Sequence, residues 1–354
     1  MTTEPLAVTI AAPVYNVEPY IEKALLSALE QDFQHPYEIL IVDDCGTDGS
    51  MDIVRHLQQT HPDGSRIRII SHPENRGLGA ARNTLIDNLQ GRYAFFLDPD
   101  DSMEKDALSV LYAKATESNA DITYGSTWKT YPSGEKVWLK NYPDYVVCHE
   151  NAGAYLAQSK PFLPHVEFWA KLWRTDFIRQ HKIRSVNKII DDALPNFRAL
   201  VESSTLCFTD RYVYRHLERP DSLSRANELG SSDNRVLIIL SDIRAIKGLV
   251  KEQYHHIPGI FDIYLDWMSM YLHCIQRAHY SPGIASQINP TLKGYIQVIP
   301  SIRSIYSKHY RLLWFCCRND ESLERYLQVT HGFAGTLPGR ALRNILNLLP
   351  CRNF

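Results

Sequence analysis

No apolar run in this chain approaches the roughly 20 residues that a membrane-spanning helix needs, so no spanning segment is expected. The opening stretch "MTTEPLAVTI" lacks the basic start and long apolar core of a secretory leader, and a cytoplasmic setting is expected. Paired-cysteine motifs are missing as well. The seven cysteines, from Cys45 to Cys351, are odd in number and show no CxxC spacing, which argues against a disulfide frame or a zinc site. Fourteen histidines form no HxH or HExxH pattern. An excess of one charge is also lacking. The formal net charge of −2 exerts no general pull on nucleic acid or anionic membranes, so no nucleic-acid partner is expected and affinity must come from local sites.

What is present is ample core material, 44% hydrophobic over 354 residues. The first third repeats one unit. "LAVTIAAP" reads as a strand and "VEPYIEKALLSALEQ" as a helix with Ile21, Leu25 and Leu29 on one stripe. "YEILIVDD" with "GSMDIVRHLQQ", "RIRIIS" with "LGAARNTLIDNLQ", and "GRYAFFLD" with "KDALSVLYAKATES" repeat the alternation. Such alternation predicts a mostly parallel sheet covered on both faces, with ligands gathering at the carboxyl ends of its strands. The polar residues fall at those ends: Tyr15 and Asn16, then Asp43 and Asp44, then Asp98, Asp100 and Asp101. After about Gly125 the alternation stops. The middle is aromatic and charged, "ELGSSDN" reads as a linker, and "VLIILSDIRAIKGLV" and "IFDIYLDWMSMYLHCIQ" have helical periodicity.

The run "YAFFLDPDDSM" ends a core strand in three carboxylates. Crowded acids repel one another, so a cation, a basic cluster or bulk solvent must face them. The D-x-D spacing suits an oxygen-ligated Mg²⁺ or Mn²⁺ that leaves positions open for a diphosphate. A solvated helix-capping loop is the plainer alternative. Asp43–Asp44 could cap the next helix or accept hydrogen bonds from a base or ribose. An EF-hand is excluded, because Gly46 and Arg55 occupy ligand positions. "GLGAAR" is not GxGxxG and follows the third strand, but its turn could aim Arg82 at a phosphate or base.

Taken jointly, "APVYNVEPYIEKAL", "ILIVDDCGTDGS", "ENRGLGAARNT" and "FFLDPDD" closely resemble the inverting family-2 glycosyltransferases of GT-A fold, over about Ala7 to Arg225. The resemblance implies an α/β fold, a Rossmann-like, mostly parallel sheet with helices on both faces, plus a C-terminal helical subdomain. Together with the helical periodicity beyond the linker, it divides the chain into a nucleotide-sugar half (1–125), an acceptor half (126–228) and that helical subdomain (229–354). It implies a nucleotide-sugar donor, usually UDP-linked, a divalent metal, and a glycan or related cell-surface polymer as acceptor. Pro13, Tyr15 and Asp44 would surround the base with Arg82 nearby. Asp98 and Asp100 would form the DxD, with Asp100 or Asp101 on the metal. Pro99 stands where the family commonly has a small residue.

Within "NKIIDDALPNFRAL" the resemblance makes Asp192 the catalytic base and puts Asp191 in place of the usual Glu, although an acid pair also suits a helix N-terminus. "FWAKLWRTDFI" resembles the acceptor-lining segment, with Trp169 and Lys171 as contacts; an aromatic core helix is the alternative. "YVYRHLERPDSLSR" resembles the stretch that closes over the site, where Arg215, Arg219 or Ser222 would touch diphosphate or acceptor.

Two other functions compete. "FFLDPDDSM" is close to the aspartyl-phosphate motif of haloacid-dehalogenase-type phosphatases, with Asp98 as nucleophile. A non-catalytic glycan-binding protein could also use the same fold. Finally, "LPGRALRNILNLLPCRNF" carries Leu342, Ile345, Leu346 and Leu349 on one helical face, beside Arg340 and Arg343. This helix would dock on its own subdomain or on a partner chain of a homo-oligomer, or lie weakly on the membrane surface.

Overall fold

The structure, a computed structural model, describes residues 4–131, 133–159, 164, 167–185, 192–218, 232–257 and 260. The chain divides into two compact units, Met1–Ala226 and Asn227–Phe354. In the first, β1 (Val8–Val14), α1 (Glu18–Leu29), β2 (Tyr37–Asp43), α2 (Ser50–Thr60), β3 (Ile67–Ser71), α3 (Leu78–Asp87) and β4 (Tyr93–Phe96) alternate as expected. Then come β5 (Ser102–Met103), α4 (Ala107–Ser118), β6 (Ile122–Thr130), β7 (Lys136–Lys140), β8 (Tyr145–Cys148) and α5 (Ala152–Ser159). The unit closes with β9 (Lys171–Arg174), α6 (Thr175–Gln180), α7 (Ala193–Glu202) and β10 (Thr205–Leu217).

All the strands join one ten-stranded sheet in the order β3-β2-β1-β4-β9-β6-β10-β5, with β7 beside β6 and β8 beside β10. β3, β2, β1 and β4 are parallel. β9 is wedged antiparallel between β4 and β6, and β10 then runs parallel to β6. β6 crosses residue 125, so the sheet is continuous through the middle of the unit.

The alternation produces this because each strand must be covered on both faces. Every residue of β1 is buried, and α1 turns Ile21, Ala24, Leu25, Ala28 and Leu29 inward. Burial is worth about 1.5–3 kcal/mol for each such large side chain. Thr9 is the polar exception in the centre. Its hydroxyl donates to Glu38 at 2.7 Å and accepts the Gly91 N–H at 2.9 Å, while Arg68 grips Glu38 at 2.8 and 3.0 Å. Gly91 has no alternative, since a Cβ there would lie 2.4 Å from the Thr9 nitrogen.

In the second unit, α8 (Ser232–Leu249) contains most of the run "VLIILSDIRAIKGLV" and ends in a π-helical turn, Val250–Tyr254. The stretch "IFDIYLDWMSMYLHCIQ" and the amphipathic tail lie outside the described residues, apart from Ile260.

Candidate active site

The chain leaves β1 outward through β2 to β3, then returns to β4 on the other side of β1. The loops after β1 and β4 therefore part at a topological switch point, where open α/β sheets bind ligands. Pro13 lies in β1 beyond its last pairing with β4, Ala11 with Phe96, at a position where a strand tolerates proline. Tyr15 follows it and is 46% exposed. Asn16, at φ 50°, turns back to accept the Thr47 N–H at 2.8 Å, and Glu18 accepts the Gly49 N–H at 2.8 Å. The loops after β1 and β2 are thus laced together next to the half-exposed Tyr15.

Asp43 and Asp44 behave differently. Asp43 accepts the Cys45 N–H at 3.1 Å and the Ser71 hydroxyl at 3.3 Å, pairs with Arg55 at 3.8 Å, and is less buried, its side chain 14% exposed. Asp44 is 2% exposed. It accepts the Arg76 and Gly77 N–H groups at 2.9 and 2.8 Å and shares a 2.6 Å bond with His72. Both oxygens of Asp44, expected beside the base, anchor the turn that enters α3. Gly77 begins that turn at φ 85°, where a side chain would be strained.

The acid cluster after β4 divides in the same way. Asp98 and Asp100 are partly exposed, whereas Asp101 is buried. The Asp101 carboxylate accepts the Leu217 N–H at 2.7 Å and bonds His216 Nδ1 at 3.2 Å. Burial raises its pKa, with Asp100 adding to the push, while His216 and the Leu217 N–H oppose it. For His216 burial works downward, but Asp101, Asp100 and Asp98 outweigh it and the pKa is raised. Asp101, expected as a metal ligand, ties the acid loop to the end of β10.

Tyr214 and His216 were not anticipated from sequence. The Tyr214 hydroxyl accepts the Asp98 N–H at 3.1 Å, and burial pushes its pKa well above the ordinary tyrosine value. Trp169 lies parallel to both rings, at 5.0 Å from Tyr214 and 5.5 Å from His216. Alternation in "YVYRHL" places Tyr214 and His216 on one strand face, a signal that was available. Trp169 is buried and backs the acid loop, not an open acceptor wall.

Arg82 joins the two halves of the site. It is 1% exposed on α3, with its guanidinium 4.7 Å from the centre of the Phe168 ring. Nη1 donates to Asp192 at 2.8 Å and Nη2 to Asp98 at 3.2 Å. The cation expected near phosphate or base therefore orients two carboxylates. Asp192 stands at the N-terminal cap position of α7 without a side-chain capping bond, and its carbonyl accepts two bonds from Asn196, at 2.8 and 3.1 Å. Lys171, expected as an acceptor contact, is wholly buried and bonds Asn196. Arg215 is held by Glu104 at 2.6 and 2.5 Å. Asp191, Arg219 and Ser222 lie outside the described residues.

Among the described residues no group of three His, Cys, Asp or Glu side chains forms a ready metal cage. Two partly exposed carboxylates, Asp98 and Asp100, are nonetheless a fitting donor set. Mg²⁺ and Mn²⁺ at such sites take one or two carboxylates and complete their shells with phosphate and water.

Fold and site define an α/β protein with partly exposed carboxylates at the switch point of its sheet. The model of the family described as "Glycosyl transferase family 2" matches residues 9–193, and the chain belongs to that family. "Glycosyltransferase GlyA" of Streptococcus pneumoniae is 32% identical over 62% of this chain and 31% of its own length. The "Putative teichuronic acid biosynthesis glycosyltransferase TuaG" of Bacillus subtilis is 44% identical over 30% of this chain and 41% of its own. The chain thus spans less than half of either relative. Among solved structures, residues 1–349 of TarS from S. aureus superpose with a TM-score of 0.69 over 93% of this chain and 91% of that one, at 18% identity. That likeness shows the fold, the GT-A arrangement with its mixed sheet. No helix among the described residues is long and apolar enough to cross a membrane.

Proposed function

We propose that this protein is an inverting glycosyltransferase that moves a sugar from a UDP-sugar to a hydroxyl of a glycan or related cell-surface polymer. One observation carries the reading: a single buried guanidinium, that of Arg82, holds both the first acid of the DxD and the candidate base Asp192. Donor-side and acceptor-side carboxylates are thereby set at one centre. TarS has been crystallised with UDP-GlcNAc, and a mannosyltransferase of Pyrobaculum calidifontis, at a TM-score of 0.50, with GDP-Man and Mn²⁺. Both support a nucleotide-sugar donor here, and the second supports a divalent cation.

In the reaction, Tyr15 and Pro13 flank the base, and the Asp43–Asp44 pair lies on the nucleoside side, with Asp44 the residue assigned to the base. Asp100, with Asp98 beside it, would hold Mn²⁺ or Mg²⁺, which when bound neutralises the departing diphosphate. Asp192 takes the proton of the acceptor hydroxyl as its oxygen attacks the anomeric carbon. The bond from that carbon to the diphosphate breaks as the new glycosidic bond forms, so configuration inverts in one displacement.

The phosphatase alternative gains nothing from this geometry, because its would-be nucleophile Asp98 is held by Arg82 at the end of a fourth strand, not the first. A cytoplasmic enzyme working on a polymer made at the inner membrane face is the setting that fits. Calorimetry of UDP with Mn²⁺ or with EDTA, and UDP release from a panel of UDP-sugars, test the proposal. Binding that ignores the metal together with no release from any donor would sink it.

A further inference from the structure

Lys171 opens β9 in the middle of the sheet and is fully buried. Its ammonium lies 4.9 Å from the centre of the Tyr124 ring and 5.1 Å from that of Trp173. Its hydrogen bond goes to a neutral group, Asn196 Oδ1, at 2.5 Å. Burying a cation without a directly bonded carboxylate costs several kcal/mol. A methionine would fill the same space without that cost, so packing alone does not call for an amine here.

What the amine supplies is direction. The amino group donates to Asn196 Oδ1, so the Asn196 amide turns its oxygen toward β9 and its NH₂ the other way. That NH₂ donates to the Asp192 carbonyl at 2.8 Å, and the Asn196 backbone N–H reaches the same carbonyl at 3.1 Å. Asp192 is then gripped at two points: its carbonyl by Asn196 and its carboxylate by Arg82 at 2.8 Å.

We propose that Lys171 and Asn196 form a buried polar post that sets the position of Asp192, making Lys171 a positioning residue for the transfer step. This rests on the assignment of Asp192 as the base. Lys171 acts from inside the sheet and touches neither donor nor acceptor.

Three variants test it. Lys171→Met keeps the stem and removes the amine. Asn196→Asp keeps an acceptor for Lys171 and removes the donor to Asp192. Lys171→Met/Asn196→Leu makes the whole post apolar. UDP release from UDP-sugars, Mn²⁺–UDP affinity, thermal midpoint, and hydrogen exchange at the Asn196 and Phe197 amides are measured for each. Both single variants should lose about 10- to 100-fold in kcat, the scale of a small misplacement. Mn²⁺–UDP affinity should be unchanged, and exchange at the start of α7 should be faster. The double variant should regain the thermal midpoint but not the turnover. Recovery of both together would make the post merely structural and overturn the proposal. So would single variants with wild-type kcat and exchange. Should Lys171→Met fail to fold, Asn196→Asp carries the same comparison. If the wild-type protein releases UDP from no donor, the transfer reading fails and the exchange data decide alone. Faster exchange then sustains the post, and unchanged exchange removes it.

Discussion

The loop after β2 and the loop after β4 present the same arrangement twice. In each, adjacent acids at a strand end take opposite directions. Asp43 stays partly open while Asp44 anchors the turn into α3. Asp98 and Asp100 stay partly open while Asp101 anchors the end of β10. The difference within each cluster is a matter of nearby N–H donors. Arg76, Gly77 and Leu217 supply unpaired amides, and the acid that reaches them turns inward. The more exposed acids are the ones we propose for ligands, and the closed acids hold the loops that carry them. Replacing an open acid should cost chemistry or binding, and replacing a closed one should cost stability.

Asp192 gives the largest expected effect. Asp192→Asn keeps the shape and the bond from Arg82 but removes the base. Turnover should fall about 10²–10⁴-fold, the usual contribution of general base catalysis, while Mn²⁺–UDP affinity stays at the wild-type value. A loss of affinity with turnover retained would move Asp192 from the chemistry to the donor site.

The acid loop gives the next contrast. Asp100→Ala should remove the metal-dependent part of UDP affinity, about tenfold or more, or at least 1.4 kcal/mol, with an unchanged urea midpoint. Asp101→Ala should do the reverse. It strands the Leu217 N–H and breaks the link to His216, at about 1–3 kcal/mol of stability. If both variants lose affinity and neither loses stability, the division into open and closed acids is wrong for this loop. In the loop after β2, Asp44→Ala should likewise cost about 1–3 kcal/mol, and Asp43→Ala no more than about 0.5 kcal/mol.

Much of the parallel half was legible because its signals are local. Strands of four to seven residues alternate with amphipathic helices at short spacing, and the acids sit where those strands stop. β9 was not legible. "AKLWRT" suggested an acceptor-lining segment or a core helix, yet Lys171–Arg174 is a four-residue strand in the centre of the sheet. A strand that short, buried on both faces, shows no alternation to find. The inward turn of Asp44 and Asp101 was hidden for a different reason. Their partners lie 28 to 33 and 115 to 116 residues away, so only the folded chain reveals them. The joining of Asp98 to Asp192 through Arg82 spans 110 residues and was equally out of reach.

A further test sharpens the contrast by using a buried cation in place of a buried acid. Burial drives the Lys171 ammonium down to about 7, against Glu167 and Asp192, whose charges pull it up, while Lys140 adds to the downward push. Below that value the group is protonated in both the folded and the unfolded chain. From there to its ordinary value of 10.5, the unfolded chain keeps the proton that the folded one has lost. The unfolded state then binds more protons, so stability must rise with pH across this window. Lys171→Met removes that slope. Urea midpoints at about pH 6.5 and pH 9.5, either side of most of this titration, should show the wild-type protein gaining stability relative to the variant as pH rises. Parallel changes in the two proteins would mean that Lys171 keeps an ordinary affinity for its proton inside the sheet.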